Sequence, residues 1–215
     1  ILRLRQQIAL YLQSYRDIQV HPEQILVGAG TEWASSLFFL LLGGAHKRFA
    51  IENAILILIA TQQPLAHDLR VLASMLIITN ELERMGDYAK GIASNTIRLG
   101  GSDIPVPIRN IEKMADIAVS MLHRSLTAFI KEDIKVAVKL PKEDDKVDEL
   151  FNDSYRAIVN AMIANPQIID ESSLLLWIVH NLERLADRVV NICERTVFIK
   201  SGEMLEMSTS DDELA

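Results

Sequence analysis

The chain has 215 residues, a net charge of −7 and 49% hydrophobic residues, which argues against disorder and against a general nucleic-acid binder. Its length allows one domain or a close pair. The single cysteine, Cys193, permits no intrachain disulfide and fits a reducing compartment. No apolar run approaches the roughly 20 residues that a membrane-spanning helix needs.

Residues 1–50 differ in pattern from the rest of the chain. Apolar spacing predicts an amphipathic helix over 1–15, and Thr31, after the turn at 28–30, can cap a second short helix. The run Pro-Glu-Gln-Ile-Leu-Val-Gly-Ala-Gly-Thr-Glu at 22–32 resembles part of a fold-type I aminotransferase domain of the MocR type. That resemblance implies a phosphate-holding helix N-terminus. Because the Schiff-base lysine of that family is absent, we interpret 1–50 as an aminotransferase-like helix–turn–helix segment without catalysis.

From Ile51 the pattern is helical, and no stretch alternates as a strand would. Helices are predicted over 51–62, 65–99, 108–131, 134–164 and 171–201. Pro64 is placed in the first turn of the second helix, and Asp133 and Asp170 are placed as caps of the last two. Pro141 predicts a bend or a helix boundary near Leu140. The helix over 51–62 is apolar nearly all round, which predicts burial.

Two acidic motifs recur one hundred residues apart and indicate an internal repeat of three-helix units. Leu-Glu-Arg-Met-Gly-Asp at 82–87 has its counterpart in Leu-Glu-Arg-Leu-Ala-Asp at 182–187. Each motif sets a Glu and an Asp four residues apart, so both carboxylates share one helix face. Like charges at this spacing repel. Each pair therefore predicts an opposing cation, either a metal ion or an Arg or Lys from another helix.

A third acidic pair, Asp144 and Asp148, has the same spacing. If its helix packs antiparallel to the last one, the pair converges with Glu183 and Asp187, and Asn191 lies one turn further. Carboxylate and amide oxygens are hard ligands that suit Mg, Mn, Ca or iron. The alternative is that arginines close in sequence neutralise the acids.

Histidine and cysteine offer no competing site by spacing. His67, His123 and His180 lack ligand spacing to one another, and Cys193 lies on an apolar-patterned helix, which predicts a buried, inert thiol. No nucleophile–base pair or phosphate-cradling loop follows residue 51, so we predict no enzymatic activity.

The run Gln-Gln-Pro-Leu-Ala-His-Asp-Leu-Arg at 62–70, followed by the two Leu-Glu-Arg motifs, resembles the PhoU family of bacterial phosphate-signalling regulators. The resemblance covers about 51–205. It implies an all-α fold of two three-helix-bundle repeats with surface clusters of divalent or iron ions, such as Mg, Mn or Fe. Carried over residue by residue, the metal ligands are Asp144, Asp148, Glu183 and Asp187 in the second repeat and Glu83 and Asp87 in the first.

The resemblance also implies a function. The chain would repress phosphate uptake and the phosphate-starvation response by coupling a phosphate ABC transporter ATPase to a sensor histidine kinase. It would be cytoplasmic and reach the membrane through these partners only. Two alternatives are a metal-binding helical bundle without a signalling role and a non-functional fusion fragment. Pairing into a homodimer through an uncovered apolar groove is a further alternative.

The chain departs from the family pattern in its first repeat. The family's first helix, which should supply partner carboxylates for Glu83 and Asp87, is missing. Gly91 stands where the second repeat has Asn191. We therefore divide the chain into an aminotransferase-like N-terminus (1–50), an incomplete first repeat (51–101), a linker (102–107), a second repeat (108–202) and a frayed acidic tail (203–215).

Overall fold

The computed structural model describes residues 48–100 and 104–207. They fall into two units, the first ending at Glu83 and the second beginning at Arg84. Within these ranges the regular structure is entirely helical, which confirms the predicted all-α class. The hairpin and the Gly-Ala-Gly-Thr turn predicted within 1–47 lie outside the described residues.

The first unit contains α1 (Arg48–Gln62) and the beginning of α2 (Ala66–Leu99). The prediction that α1 is buried all round is wrong, because Leu56 and Ile57 are 55% and 43% exposed. Its opposite face, with Ile51 and Ile55, is buried. The helix is thus amphipathic in its packing although its sequence is apolar on both faces.

The connection between α1 and α2 differs from the prediction. Pro64 lies in the connection and not in the first turn of α2. Gln63 and Ala66, which flank the connection, both have a φ of 47°. Left-handed backbone at both ends turns the chain within three residues.

The second unit contains the rest of α2 and four further α-helices. These are α3 (Ile108–Lys131), α4 (Ile134–Lys139), α5 (Asp144–Ala164) and α6 (Ile169–Ser201). Two 3₁₀ segments, Leu140–Glu143 and Pro166–Ile168, join α4 to α5 and α5 to α6. None of the helices in the described ranges is both long and apolar enough to cross a bilayer.

Helices α3, α5 and α6 pack on one another as a three-helix bundle. The short connection at 166–168 makes α5 and α6 antiparallel neighbours. Lys200, near the end of α6, donates to Glu132, just after α3, at 2.8 Å, so α3 and α6 run in the same direction. The core of the bundle includes the fully buried side chains of Met114, Met121, Ile158 and Ile192.

Of the bend or helix boundary predicted near Leu140, the structure shows the boundary. Asp133 caps α4 by accepting a hydrogen bond from the Val136 backbone N–H at 3.2 Å. At Pro141, which has no N–H to donate, the chain tightens into the 3₁₀ segment before α5 begins at Asp144. The 3₁₀ segment therefore leads into an acidic first turn of α5, and Asp144 in that turn is buried in the bundle.

The predicted C-terminal end of α6 is confirmed, and its predicted N-cap is wrong. Asp170 lies inside the first turn, and the N-cap is Ile168 without a capping side-chain hydrogen bond, so the predicted cap is wrong. Gly202 ends the helix with a φ of 78°, a left-handed conformation that glycine adopts without strain.

Candidate metal centre

The antiparallel packing of α5 and α6 sets their acidic residues opposite each other. The rings of Phe151 on α5 and His180 on α6 have centroids 6.3 Å apart, which defines the register. Three residues back along α5 lies Asp148, and three residues forward along α6 lies Glu183. In antiparallel helices equal steps in opposite directions stay level, so these two acids face the same interface.

Four more residues along each helix bring Asp144 level with Asp187. We call Asp144, Asp148, Glu183 and Asp187 the acidic row. The negative charges of the other three members all act on Asp144, so the structure brings together the four carboxylates that the spacing predicted to converge.

Asp144 is the buried member of the acidic row. Its side chain is 0% exposed, and neither Oδ1 nor Oδ2 accepts a hydrogen bond from the described residues. Burial, followed by the negative charges of Asp148, Asp187 and Glu183, raises the pKa of Asp144 to about 8. Without a cation the carboxyl is therefore protonated at neutral pH, and a bound cation would have to displace that proton.

The donor set of the acidic row fits a cation. A buried carboxylate with two unpartnered oxygens is costly unless it is protonated or faces positive charge. Carboxylate oxygens suit Mg, Mn or iron ions. Among the residues that the structure describes, however, no three His, Cys, Asp or Glu side chains are already arranged around a common metal position. Metal binding by the acidic row therefore stays a prediction.

The acidic pair of the first repeat has different surroundings. Arg48 of α1 donates from Nη1 to Glu83 Oε2 at 2.6 Å and from Nε to Glu52 Oε1 at 2.8 Å. The hydrogen bond to Glu52 and then the one to Glu83 raise the pKa of Arg48 against its partial desolvation. Glu83 thus faces an arginine of another helix, the alternative to a metal that the sequence left open.

Asp87 lies one turn beyond Glu83 on α2 and is exposed. It belongs to the second unit, whereas Glu83 belongs to the first. Their role as metal ligands stays a prediction. Arg48 was missed because only the acids were considered; its spacing of four residues before Glu52 was the available signal of a cation at this helix face.

Gly91 has a packing role that the sequence did not reveal. A Cβ atom at Gly91 would lie 2.2 Å from Cη2 of Trp177, so the indole packs directly on the backbone of α2. Close by on the same helix pair, the Arg184 guanidinium lies 5.7 Å from the centroid of the Tyr88 ring. This cation–π contact occupies the arginine of the second Leu-Glu-Arg motif.

Cys193 is buried, as predicted. Burial, and then the charge of Glu194, raise the pKa of its thiol to about 12. A thiol with this pKa stays protonated at neutral pH, so it is neither a ready metal ligand nor a nucleophile.

Comparison with known proteins agrees with the helical repeat and its motifs. The model of the PhoU domain family matches residues 46–96 and 111–196. The phosphate-specific transport system accessory protein PhoU homolog of Clostridium acetobutylicum is 33% identical over 159 residues, covering 74% of this chain and 73% of that protein. PhoU homolog 1 of Methanothermobacter thermautotrophicus is 34% identical over 152 residues, covering 70% and 69%.

A solved structure gives the same result. The crystal structure of the phosphate transport system regulatory protein PhoU from Streptococcus pneumoniae superposes with a TM-score of 0.71 and 26% identity, covering 96% of this chain and 94% of that one. The aminotransferase resemblance of residues 1–50 is not shown by these comparisons. The family match covers more than half of the chain and includes both Leu-Glu-Arg motifs. The chain belongs to the PhoU domain family.

Proposed function

We propose that this chain is a regulatory accessory protein of a phosphate-specific transport system. The observation that carries the proposal is the extent of the family match, because accessory proteins of that description align with about three quarters of the chain. A regulator of this kind acts by binding. The site chemistry agrees, since the acidic row offers oxygen donors and the one cysteine carries a thiol whose pKa is raised to about 12.

The finer proposal concerns partners and direction. When phosphate is plentiful, the chain represses phosphate uptake and the starvation response by coupling the transporter ATPase to a sensor histidine kinase on the cytoplasmic side. The names of the relatives support the link to the transport system. The kinase and the ATPase rest on the family resemblance.

Complementation tests this function. The chain is expressed in a bacterium that lacks its own PhoU-type gene, and a starvation-induced phosphatase is measured in phosphate-rich medium. We expect repression to return, and we expect it to fail with Ile192→Asp, which places a charge in the bundle core. A soluble, folded chain that leaves the phosphatase fully induced would contradict the proposal. Pull-down with the purified kinase and ATPase identifies the partner.

A second candidate is a metal-binding bundle without a signalling role, which the buried and unpartnered Asp144 favours. A cation at the acidic row would relieve the repulsion between α5 and α6. Metal content is measured on purified wild type, Asp144→Asn and Asp153→Asn, an exposed acid of α5 that serves as the control. We expect Asp144→Asn alone to lose metal. Equal metal content in all three would contradict the site.

The alternative of a non-functional fusion fragment makes opposite predictions. Several large apolar side chains in the first unit are exposed: Phe49 (59%), Leu56 (55%), Leu65 (80%) and Leu69 (41%). A fragment with this surface uncovered should aggregate and bind a hydrophobic dye strongly. Monodisperse protein that restores repression would exclude this alternative.

A further inference from the structure

Four lysines follow one side of the chain where α4 passes through the 3₁₀ segment into α5. We call them the lysine row: Lys135, Lys139, Lys142 and Lys146. They are separated by four, three and four residues. The backbone keeps a right-handed helical conformation at Leu140 and at Asp144, where the element types change. Helical spacing on a nearly continuous helical path therefore sets all four lysines on one face.

Burial shows that this face points away from the bundle. On the opposite side of the same path, Ala137, Leu140 and Val147 are 0% exposed, whereas all four members of the lysine row are exposed. At a rise of about 1.5 Å per residue, the row extends about 16 Å along the surface. Val138 lies beside it and is 49% exposed, so the face combines positive charge with an apolar side chain.

The acids near the lysine row leave its charge in excess. Two of them are paired with other cations: Glu132 with Lys200 at 2.8 Å and Glu143 with Arg124 at 2.7 Å. Asp144 is buried on the opposite side. Asp145 and Glu149 are exposed beside the row, so four positive charges face two negative ones. This surface is therefore positive although the chain carries a net charge of −7.

We propose that the lysine row binds the anionic headgroups of a phospholipid bilayer and thereby orients the bundle on a membrane surface. Clusters of four or more basic residues on an amphipathic helix are typical of binding to anionic lipids. A lysine ammonium is a point charge without fixed geometry, whereas arginine forks suit single carboxylates or phosphates. A row made only of lysines therefore fits a surface of spread negative charge. The inference goes beyond the proposed function, in which protein partners provide the link to the membrane.

The experiment measures binding to vesicles of phosphatidylcholine mixed with phosphatidylglycerol and to vesicles of phosphatidylcholine alone. In the row variant, all four lysines of the row are replaced by glutamine. The control variant removes four exposed cations elsewhere and so has the same net charge: Lys90→Gln, Arg109→Gln, Lys113→Gln and Arg156→Gln. The melting temperature of each variant checks its folding.

Wild type should bind the mixed vesicles only, and added salt at 1 M should abolish the binding. Each lysine near an anionic surface strengthens binding about fivefold, so the row variant should bind at least about 100-fold more weakly. The control variant should stay within about fivefold of wild type. Equal losses in the two variants would mean that net charge alone decides binding, and the inference would be wrong. It would also be wrong if wild type ignored the mixed vesicles.

A fluorescent probe tests the orientation. An environment-sensitive dye is attached to Val138→Cys, beside the lysine row, or to Ile163→Cys, an exposed position (74%) near the other end of α5. Emission should shift to the blue on mixed vesicles with the probe at 138 and stay unchanged with the probe at 163. A shift at 163 alone would contradict the proposed orientation. If the row variant loses an acidic protein partner while wild type binds no vesicles, the row recognises protein and the lipid inference is wrong.

Discussion

Replacing Asp144 by asparagine removes an ionisable group at the buried end of the acidic row and keeps the size of the side chain. The pKa of about 8 in the folded chain lies about four units above the value of about 3.9 in an unfolded chain. The folded state therefore holds a proton that the unfolded state has released between these two pH values. This proton couples stability to pH in the metal-free protein.

The sign follows from the raised pKa. The stabilisation by the neutral carboxyl is fully present below about pH 4 and is lost as the pH rises towards 8. At 1.36 kcal/mol for each pKa unit, the loss is on the order of 5 kcal/mol over the whole range. Asparagine does not titrate, so the Asp144→Asn protein should lack this slope. Its buried amide lowers stability by an amount that does not depend on pH, so the slope is the informative quantity.

The assay is urea unfolding in the presence of a chelator at several pH values from 5 to 7.5. Trp177 fluorescence in a Trp33→Phe background reports the second unit, to which α6 belongs. We expect the free energy of unfolding of wild type to fall relative to Asp144→Asn by about 1.3 kcal/mol per pH unit. The control Asp153→Asn should follow wild type. Parallel curves for wild type and Asp144→Asn would refute the argument, because they would mean that Asp144 is ionised in the folded chain throughout.

Three further predictions concern packing, charge and the thiol. Gly91→Ala forces a methyl group into the neighbouring indole and should lower the free energy of unfolding by about 1–3 kcal/mol in urea titrations, whereas Gly86→Ala, with nothing within 4 Å, should raise it slightly. Arg48→Gln should lower the melting temperature at low salt only, because the ion pair between Arg48 and Glu83 is partly exposed and is therefore screened by added salt. An equal loss of melting temperature in 1 M salt would contradict this. Cys193 should react with iodoacetamide at pH 8 only after unfolding, because a thiol pKa of about 12 leaves about 10³-fold less thiolate than in a free cysteine. Rapid labelling of the native protein would contradict the burial of this thiol.

Periodicity predicted the helices well because local spacing decides them. Helix α3 begins and ends at the predicted residues, and Pro141 interrupts the next helix where expected. The errors have two causes. A sequence that is apolar on both faces does not show which face of α1 is buried. Capping depends on the backbone conformation of single residues, which local spacing does not determine. Asp170 was therefore predicted to be the N-cap of α6, whereas it lies inside the first turn of that helix.

The part of the candidate site that depends on the spacing of acidic residues along the helices was predictable. The four-residue spacings and the antiparallel order predicted the acidic row, and the structure brings its members together. The packing of Trp177 on Gly91 was not predictable, because a glycine in a helix shows neither what approaches it nor from which side. Likewise, Arg48 reaches Glu83 across 35 positions of the chain, a distance at which local spacing carries no information.

Glu83 of the first Leu-Glu-Arg motif and Asp144 of the acidic row meet a similar electrostatic demand by different means. In the first unit, Glu83 faces the guanidinium of Arg48, a charge that is permanent and belongs to the protein. In the second unit, Asp144 lies among three other carboxylates and holds a proton at neutral pH. A proton can exchange for a cation, whereas an arginine cannot be removed. Of these two sites, the acidic row is therefore the one whose charge can respond to pH or to metal concentration, and a cation-dependent step in phosphate regulation should be sought there.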